Sequence, residues 1–356
     1  MGTKKQKIIR GIVFVCILLV LVSGVNYYVD SYAQVRTSYI DIANELAEGK
    51  NVIGLTESRY NERYLAIAMI EVMEESPECI MLGTSRSMIY GKEEFDEDLF
   101  YNFSLSGGTL NDYYGIIGYL ENREMLPKKV IMEVGGPLFN ELDTEQRYVH
   151  LEDGIKYMEA LIEGKPVECV YPNLDKQYGK ALAIDYFKYN LQCLFEGERF
   201  EVEYTKESDN LLSTKLSDGS ITYGKETRER NAEYVETATK KALSDKELYK
   251  IEGYVEISPK RVEQFEALVG WLCDNGVEIV FFLPPYSETM YEFMQEHITD
   301  YAGVFAQEEY IVRYAKEKDI PVYGSYSSEK INLTWDDFSD EYHMQRDSAY
   351  KAWYMR

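Results

Sequence analysis

The chain has 356 residues and a formal charge of −24, with 38 basic against 62 acidic side chains. So acidic a surface argues against nucleic acid or anionic lipid as a ligand held by charge. With 45% hydrophobic and 14% aromatic residues, 32 of them Tyr, the chain can build one large α/β domain or a domain carrying an insertion.

Lys4, Lys5, Lys7 and Arg10 precede an apolar run from Gly11 to Val29. Basic residues on that flank orient a span with its N-terminus in the cytoplasm, and about 20 apolar residues as helix cross a bilayer core. Residues 1–30 therefore read as a basic tip and an uncleaved single-pass anchor in the cell membrane, with the C-terminal domain extracytoplasmic. The competing reading is a signal peptide cut at Ser31-Tyr32-Ala33, a site that lies late after the apolar run. Beyond the anchor, Cys79, Cys169, Cys193 and Cys273 have no Cys-x-x-Cys or Cys/His metal spacing. Cys79 in a core strand and Cys273 on an apolar helix face read as buried free thiols.

Residues 31–77 read as stalk and helix, ended by Ser76-Pro77. The apolar positions from Tyr64 to Met73 have the three/four spacing of a buried helix face. A short strand, Cys79–Leu82, leads into Gly83-Thr84-Ser85-Arg86-Ser87. A second strand, Leu99–Phe103, leads into Ser106-Gly107-Gly108 and a helix over Leu110–Asn122, whose Asn111 and Asp112 suit caps. A third, Val130–Val134, ends at Gly135-Gly136-Pro137. Strands that are near-continuous apolar runs suit a parallel sheet covered on both faces. Residues 138–256 are Tyr-rich, charged and mostly helical in period, with 208–223 as polar loop; they read as a helical insertion or lid. The core rhythm resumes with a helix over Pro259–Cys273, a strand over Val277–Leu283 capped by Pro284-Pro285-Tyr286, a helix over 303–317 and a strand over Pro321–Tyr323. Asp340-Glu341-Tyr342-His343 follows, then a helix from Asp347.

Every motif lies just after a strand, the edge where open parallel sheets bind ligands. An Asp three residues before a His can orient the imidazole, and the His can deprotonate a Ser brought in by the fold. Of only three His, His150 lies in the insertion and His297 on a helix surface, which leaves His343 for this role. Ser85 is the nucleophile, His343 the general base and Asp340 its orienting carboxylate. Arg86 is either a salt-bridge residue or a group that holds an anionic substrate. Tyr286 suits a pocket wall.

This arrangement resembles the SGNH (GDSL-like) hydrolase family over residues 78–137 and 257–356. That family's first block places its serine two residues after a Gly, as Ser85 follows Gly83, and its last block is Asp-x-x-His, as in Asp340 and His343. The resemblance implies a flavodoxin-like three-layer α/β/α fold with a mostly parallel sheet, acyl-ester chemistry and no cofactor or metal. It puts Ser104, with Asn102 beside it, in the place of the oxyanion Gly of the second block. Asn140 is the displaced counterpart of the third block's oxyanion Asn. Within the family the chain is most similar to the membrane-anchored branch of the D-alanyl transfer protein of teichoic-acid modification and the alginate-type O-acetylation proteins. That similarity implies an esterase or O-acyltransferase acting on acyl esters of cell-envelope glycopolymers, beside a membrane-bound O-acyltransferase partner. An inactive accessory protein of the same fold is the second expectation, resting on the altered third block. A phosphate binder using Ser106-Gly107-Gly108 ranks last, for want of a Walker Lys or a full Gly-x-Gly-x-x-Gly.

Overall fold

The computed structural model describes residues 2–55, 60–95, 97–141, 146–165, 167–245, 248 and 251–353. The strands are β1 (Asn51–Ile53), β2 (Cys79–Leu82), β3 (Phe100–Asn102), β4 (Lys129–Glu133), β5 (Glu203–Thr205), β6 (Thr214–Lys215), β7 (Ile221–Thr222), β8 (Glu278–Leu283) and β9 (Val322–Gly324). Five of them form an all-parallel sheet in the order β3-β2-β4-β8-β9. Numbered along the chain, that order is 2-1-3-4-5, and such sheets bind ligands where the order reverses. Here the reversal falls between β2 and β4.

Successive side chains alternate between the sheet faces. Cys79, Met81, Ile131, Val280 and Phe282 join one core cluster, and Ile80, Leu82, Val130, Met132, Ile279, Phe281 and Leu283 join the other. With both faces buried, the strands read as unbroken apolar runs. The helices are α1 (Gly2–Val29), α2 (Tyr39–Ala47), α3 (Glu62–Val72), α4 (Leu110–Asn122), α5 (Glu152–Ile162), α6 (Ile184–Glu196), α7 (Lys225–Arg228), α8 (Ala232–Asp245), α9 (Pro259–Asp274), α10 (Glu288–Glu296) and α11 (Ile298–Lys318). Ile67 of α3, Ile116 of α4, Leu268 of α9 and Ile311 of α11 lie in the cluster on one face.

The other face departs from the three-layer expectation. Beside Val235 of α8, it is covered by Met88–Tyr90, by 3₁₀ turns around Ile331 and Trp335, and by Trp353, stacked on Phe282 at 4.8 Å. The helix expected from Asp347 is a 3₁₀ turn over Arg346–Ala352. Ala349 and Ala352, three apart, both face the sheet, which is the 3₁₀ period.

Further expectations change. Residues 31–77 are not a stalk: Ile42, Leu46 and Val52 are core residues, and β1 pairs antiparallel with β5 and β6. The resulting second sheet, β5-β1-β6-β7, draws on residues 203–222, so the polar stretch read as loop contributes two short strands. Its residues carry no apolar alternation, and pairing with a distant strand decides their form. Residues 138–256 thus divide among several neighbours, α8 covering the far face of the main sheet through Val235. α5 packs on α4 where Gly154 meets Gly118, α6 packs on the end of α1, and 203–222 join β1. Cys79 and Cys193 are buried, but Cys273 is exposed. The buried face of α9 is Phe265, Leu268, Val269 and Leu272, and Cys273 lies one residue off that face.

Candidate active site

β2 is followed by Gly83, where the chain squeezes past the Glu133 side chain of β4. A Cβ at this position would lie 2.7 Å from both Glu133 Oε2 and Ser87 Cβ. Glu133, the last residue of β4, is fully buried beneath the turn that follows. Its Oε2 accepts the Thr84 N–H at 2.8 Å and the Ser87 hydroxyl at 2.5 Å, and its Oε1 accepts the Thr84 hydroxyl at 2.8 Å. Three donors fix the turn that presents Ser85. Sequence reasoning passed over Glu133, although it is the lone charge at the C-terminal end of an apolar central strand.

The last loop meets this turn from the other side. Asp340 Oδ1 accepts the backbone N–H groups of Tyr342 at 2.8 Å and His343 at 2.7 Å, a local turn that Asp is suited to build. Its two carboxylate oxygens lie 2.9 and 2.8 Å from His343 Nδ1. With Nδ1 donating to Asp340, His343 Nε2 is left to accept from Ser85 Oγ, 2.8 Å away. The structure therefore brings together the three residues assigned a catalytic role from sequence, 258 positions apart between Ser85 and His343.

Burial works to raise the Asp340 carboxyl, but the imidazole charge, its hydrogen bond and the two backbone N–H groups push it down to about 2. Burial likewise works to lower the His343 imidazole and is outweighed by Asp340, so its pKa is raised, with Arg86 pulling in the opposite direction. The signs follow. Asp340 contributes stability that is present above 3.8 and lost as pH falls toward 2, and His343 contributes stability that is present below 6.5 and lost as pH rises through its raised value. A reaction needing neutral His343 should rise with pH, with its midpoint above 6.5. Asp340→Asn should move that midpoint down, because burial and Arg86 are then opposed only by the more weakly acting Glu341. A pH–rate profile for ester turnover checks this, and a midpoint that Asp340→Asn leaves in place would refute the pairing.

The remaining sequence-assigned residues take different roles. Arg86 is buried, and it pairs with carbonyls instead of a carboxylate. Its Nη2 donates to Pro284 O at 2.8 Å and Pro285 O at 2.6 Å, and its Nε donates to Tyr342 O at 3.3 Å. The guanidinium lies 4.2 Å from the centre of the Tyr286 ring, so Tyr286 is a buried support for Arg86 and is absent from the pocket lining. Arg86 thus ties the loops after β2, β8 and β9 together. Asn102 is a brace as well: its Nδ2 donates to Ser87 O and Tyr90 O, and its Oδ1 accepts the Ser104 N–H at 2.8 Å. That last bond consumes the N–H expected to face an oxyanion, and Ser104 lies outside the lining. Asn140 is outside it too, its N–H donating to Pro137 O.

Gly107 and Gly108, which sequence reasoning gave no role in catalysis, occupy the place expected of Ser104. Both line a pocket of about 330 Å³ together with Thr84, Ser85, Gly136, Pro137 and His343. The backbone N–H groups of Ser85 and Gly107 have no acceptor among the described residues. Gly107 holds φ +58°, a left-handed conformation that glycine takes without strain. The signal was the double glycine after a strand.

The start of α3 braces this loop. Glu62 accepts from Ser106 N–H at 2.6 Å and from its hydroxyl at 2.8 Å. Arg63 forms a buried two-point pair with Asp112, at 2.9 and 3.1 Å, and Asp112 also caps α4 through Thr109. Arg63→Ala would leave Asp112 buried without its cation, and is expected to cost about 3–4 kcal/mol in urea unfolding. A loss under about 1 kcal/mol would show that the pair is replaced by water.

A second cleft, of about 680 Å³, adjoins the first through Ser106 and Arg147 and is lined by Tyr32, Tyr39, Tyr60, Tyr64 and Tyr189. His150, placed in the insertion from sequence, lies in this cleft edge-on to Tyr64, with ring centres 4.9 Å apart.

Compared with known proteins, the chain matches no family model, and no curated protein matches it significantly in sequence.

Proposed function

We propose that this protein is a membrane-anchored, extracytoplasmic serine esterase or O-acyltransferase of SGNH type that acts on acyl esters of cell-envelope glycopolymers. The observation that carries this reading is the continuous relay from Ser85 Oγ through His343 to Asp340, at the mouth of a pocket on the C-terminal edge of the sheet. In the reaction, Ser85 Oγ attacks the acyl carbonyl while its proton passes to His343 Nε2. That proton then goes to the leaving oxygen as the C–O bond breaks, giving an acyl-Ser85 intermediate. Water or a sugar hydroxyl gives its proton to His343 and takes the acyl group, and as the acyl–Oγ bond breaks His343 returns that proton to Ser85 Oγ. The N–H groups of Ser85 and Gly107 are the donors for the developing oxyanion, in place of Ser104. The tyrosine cleft beside the pocket supports an extended, sugar-bearing partner, because aromatic faces and polar rims suit such chains.

The basic flank and the apolar α1, with mean hydropathy 2.8 over its best window, support an anchor with the domain outside the cytoplasm. Asn26, Ser31 and Ala33 are buried against the domain, so the end of α1 is part of the fold, which supports retention of α1. A membrane-bound O-acyltransferase remains the implied partner. The position of Asn140 outside the pocket favours a second reading, an inactive accessory protein of the same fold. Treating the full chain with a fluorophosphonate and mapping the adduct by mass separates the two. Labelling of Ser85, lost in His343→Ala, is the expected result, and an unlabelled but folded protein would favour the accessory reading.

A further inference from the structure

The end of α1 is clamped to the domain. Its large apolar side chains from Ile8 to Leu21 are exposed, and burial begins at Val22 and is complete at Asn26 and Val29. Asn26 Nδ2 donates to the carbonyls of Lys180, Ala181 and Ala183 at 3.0–3.1 Å, and its Oδ1 accepts from Asn190 Nδ2 at 3.0 Å. Asn190 Oδ1 in turn takes Ser31 Oγ at 2.6 Å, and Asp30 takes the Tyr186 hydroxyl at 2.9 Å. These buried polar bonds leave no hinge between α1 and the fold. The exposed apolar stretch of α1, Ile8 to Leu21, spans roughly 21 Å at 1.5 Å per residue, and continuing to Val25, just before the Asn26 clamp, it reaches about 27 Å, close to a bilayer core of about 30 Å. The clamp therefore lies where α1 would leave the hydrocarbon.

The elements that form this clamp expose apolar side chains beside it. Tyr178 of the 3₁₀ turn at Tyr178–Leu182 is 72% exposed, and Phe195 of α6 is 82% exposed. At about 100° per residue, Leu194, Phe187, Leu191, Ile184 and Phe195 fall in one sector of α6 roughly 100° wide. Asn190, Tyr186 and Cys193 form the buried sector. Asp185, Lys188, Gln192 and Glu196 occupy the remainder. A helix with separate buried, polar and outward apolar sectors has the pattern of one lying in a membrane interface.

We propose that α6 and the turn before it are seated in the bilayer surface around the anchor, holding the domain in one fixed orientation against the membrane. The occupant of the apolar sector is lipid, because α6 packs against α1, whose exposed apolar surface needs the same solvent. With a chain charge of −24, the seating is hydrophobic and insensitive to salt. Tyr32, three residues past α1, and Tyr189 of α6 both line the tyrosine cleft, so the cleft opens at the membrane collar and runs to the catalytic pocket. This inference rests on reading α1 as a span.

The test uses the full chain in phosphatidylcholine vesicles, with the environment-sensitive NBD fluorophore on single cysteines and doxyl-lipid as quencher. Cys169 and Cys273 are replaced by Ser throughout, Cys16 is replaced by Ser except where it is the reporter, and the buried Cys79 and Cys193 stay. Label at Tyr178→Cys and Phe195→Cys should be blue-shifted and lose emission to shallow doxyl-lipid, equally at low and high salt. Label at Gln192→Cys should not. Label on Cys16 should be quenched by deep doxyl-lipid and reports on the span alone. Quenching at Cys16 with Phe195→Cys no more quenched than Gln192→Cys would overturn the seating and leave the anchor intact. Absence of quenching at Cys16 would remove the span, and the seating with it.

Discussion

Replacing His343 by alanine is expected to lower ester turnover by roughly 10⁴-fold or more, and Ser85→Ala by a similar amount. The two residues share one proton across 2.8 Å, so neither can act without the other. The double variant should therefore be no slower than either single one, because members of a relay are not additive. Turnover of a small chromogenic ester by the three variants checks this. Additive losses would mean that Ser85 and His343 act in separate steps, and wild-type turnover in Ser85→Ala would place the nucleophile elsewhere. Asp340→Asn should cost less than His343→Ala but still orders of magnitude, since the imidazole stays beside Ser85 while losing both the charge and the acceptor that fix its tautomer.

Glu133→Ala is expected to remove both stability and activity. Three donors point at this fully buried carboxylate, one of them the Thr84 N–H, and all three would be left without an acceptor. An unsatisfied buried donor costs about 1–3 kcal/mol, so a loss of about 4 kcal/mol in chemical unfolding is expected for the set. Any folded fraction should label poorly with fluorophosphonate, because Ser85 follows Thr84 directly and loses its fixed position. Glu133→Gln keeps an oxygen for the Thr84 N–H and should recover most of the stability. Equal damage from Gln and Ala would mean that the charge, and not the acceptor geometry, holds the turn.

The parallel strands were legible because both sheet faces are buried, which turns each strand into an apolar run. The helix over Leu110–Asn122 was legible in full because Thr109 and Asp112 form a capping box at its start. Ser85, His343 and Asp340 were legible because short local signals carry them, a Gly two residues before a Ser and an Asp three residues before a His. Asn102 and Tyr286 were found as positions near the site but took other roles, while Arg86, read as a salt-bridge residue or a substrate anchor, pairs with carbonyls and still lines the pocket. A side chain's role depends on which partners reach it, and Arg86 turned out to face carbonyls from loops about 200 and 256 positions away.

The sequence by itself determined the class of the fold, the sheet edge that carries the motifs and the three residues of the relay, since periodicity and turn chemistry are local properties. Only the tertiary structure decided the rest. It set the strand order, tied up the Ser104 N–H while leaving the Gly107 N–H without an acceptor among the described residues, and revealed Glu133 as the acceptor beneath the turn that carries Ser85. It also converted residues 31–77 from stalk to core, and turned part of a polar stretch into strands β6 and β7. Each of these depends on contacts between segments far apart in the chain, whose energies exceed the propensities written into any one of them.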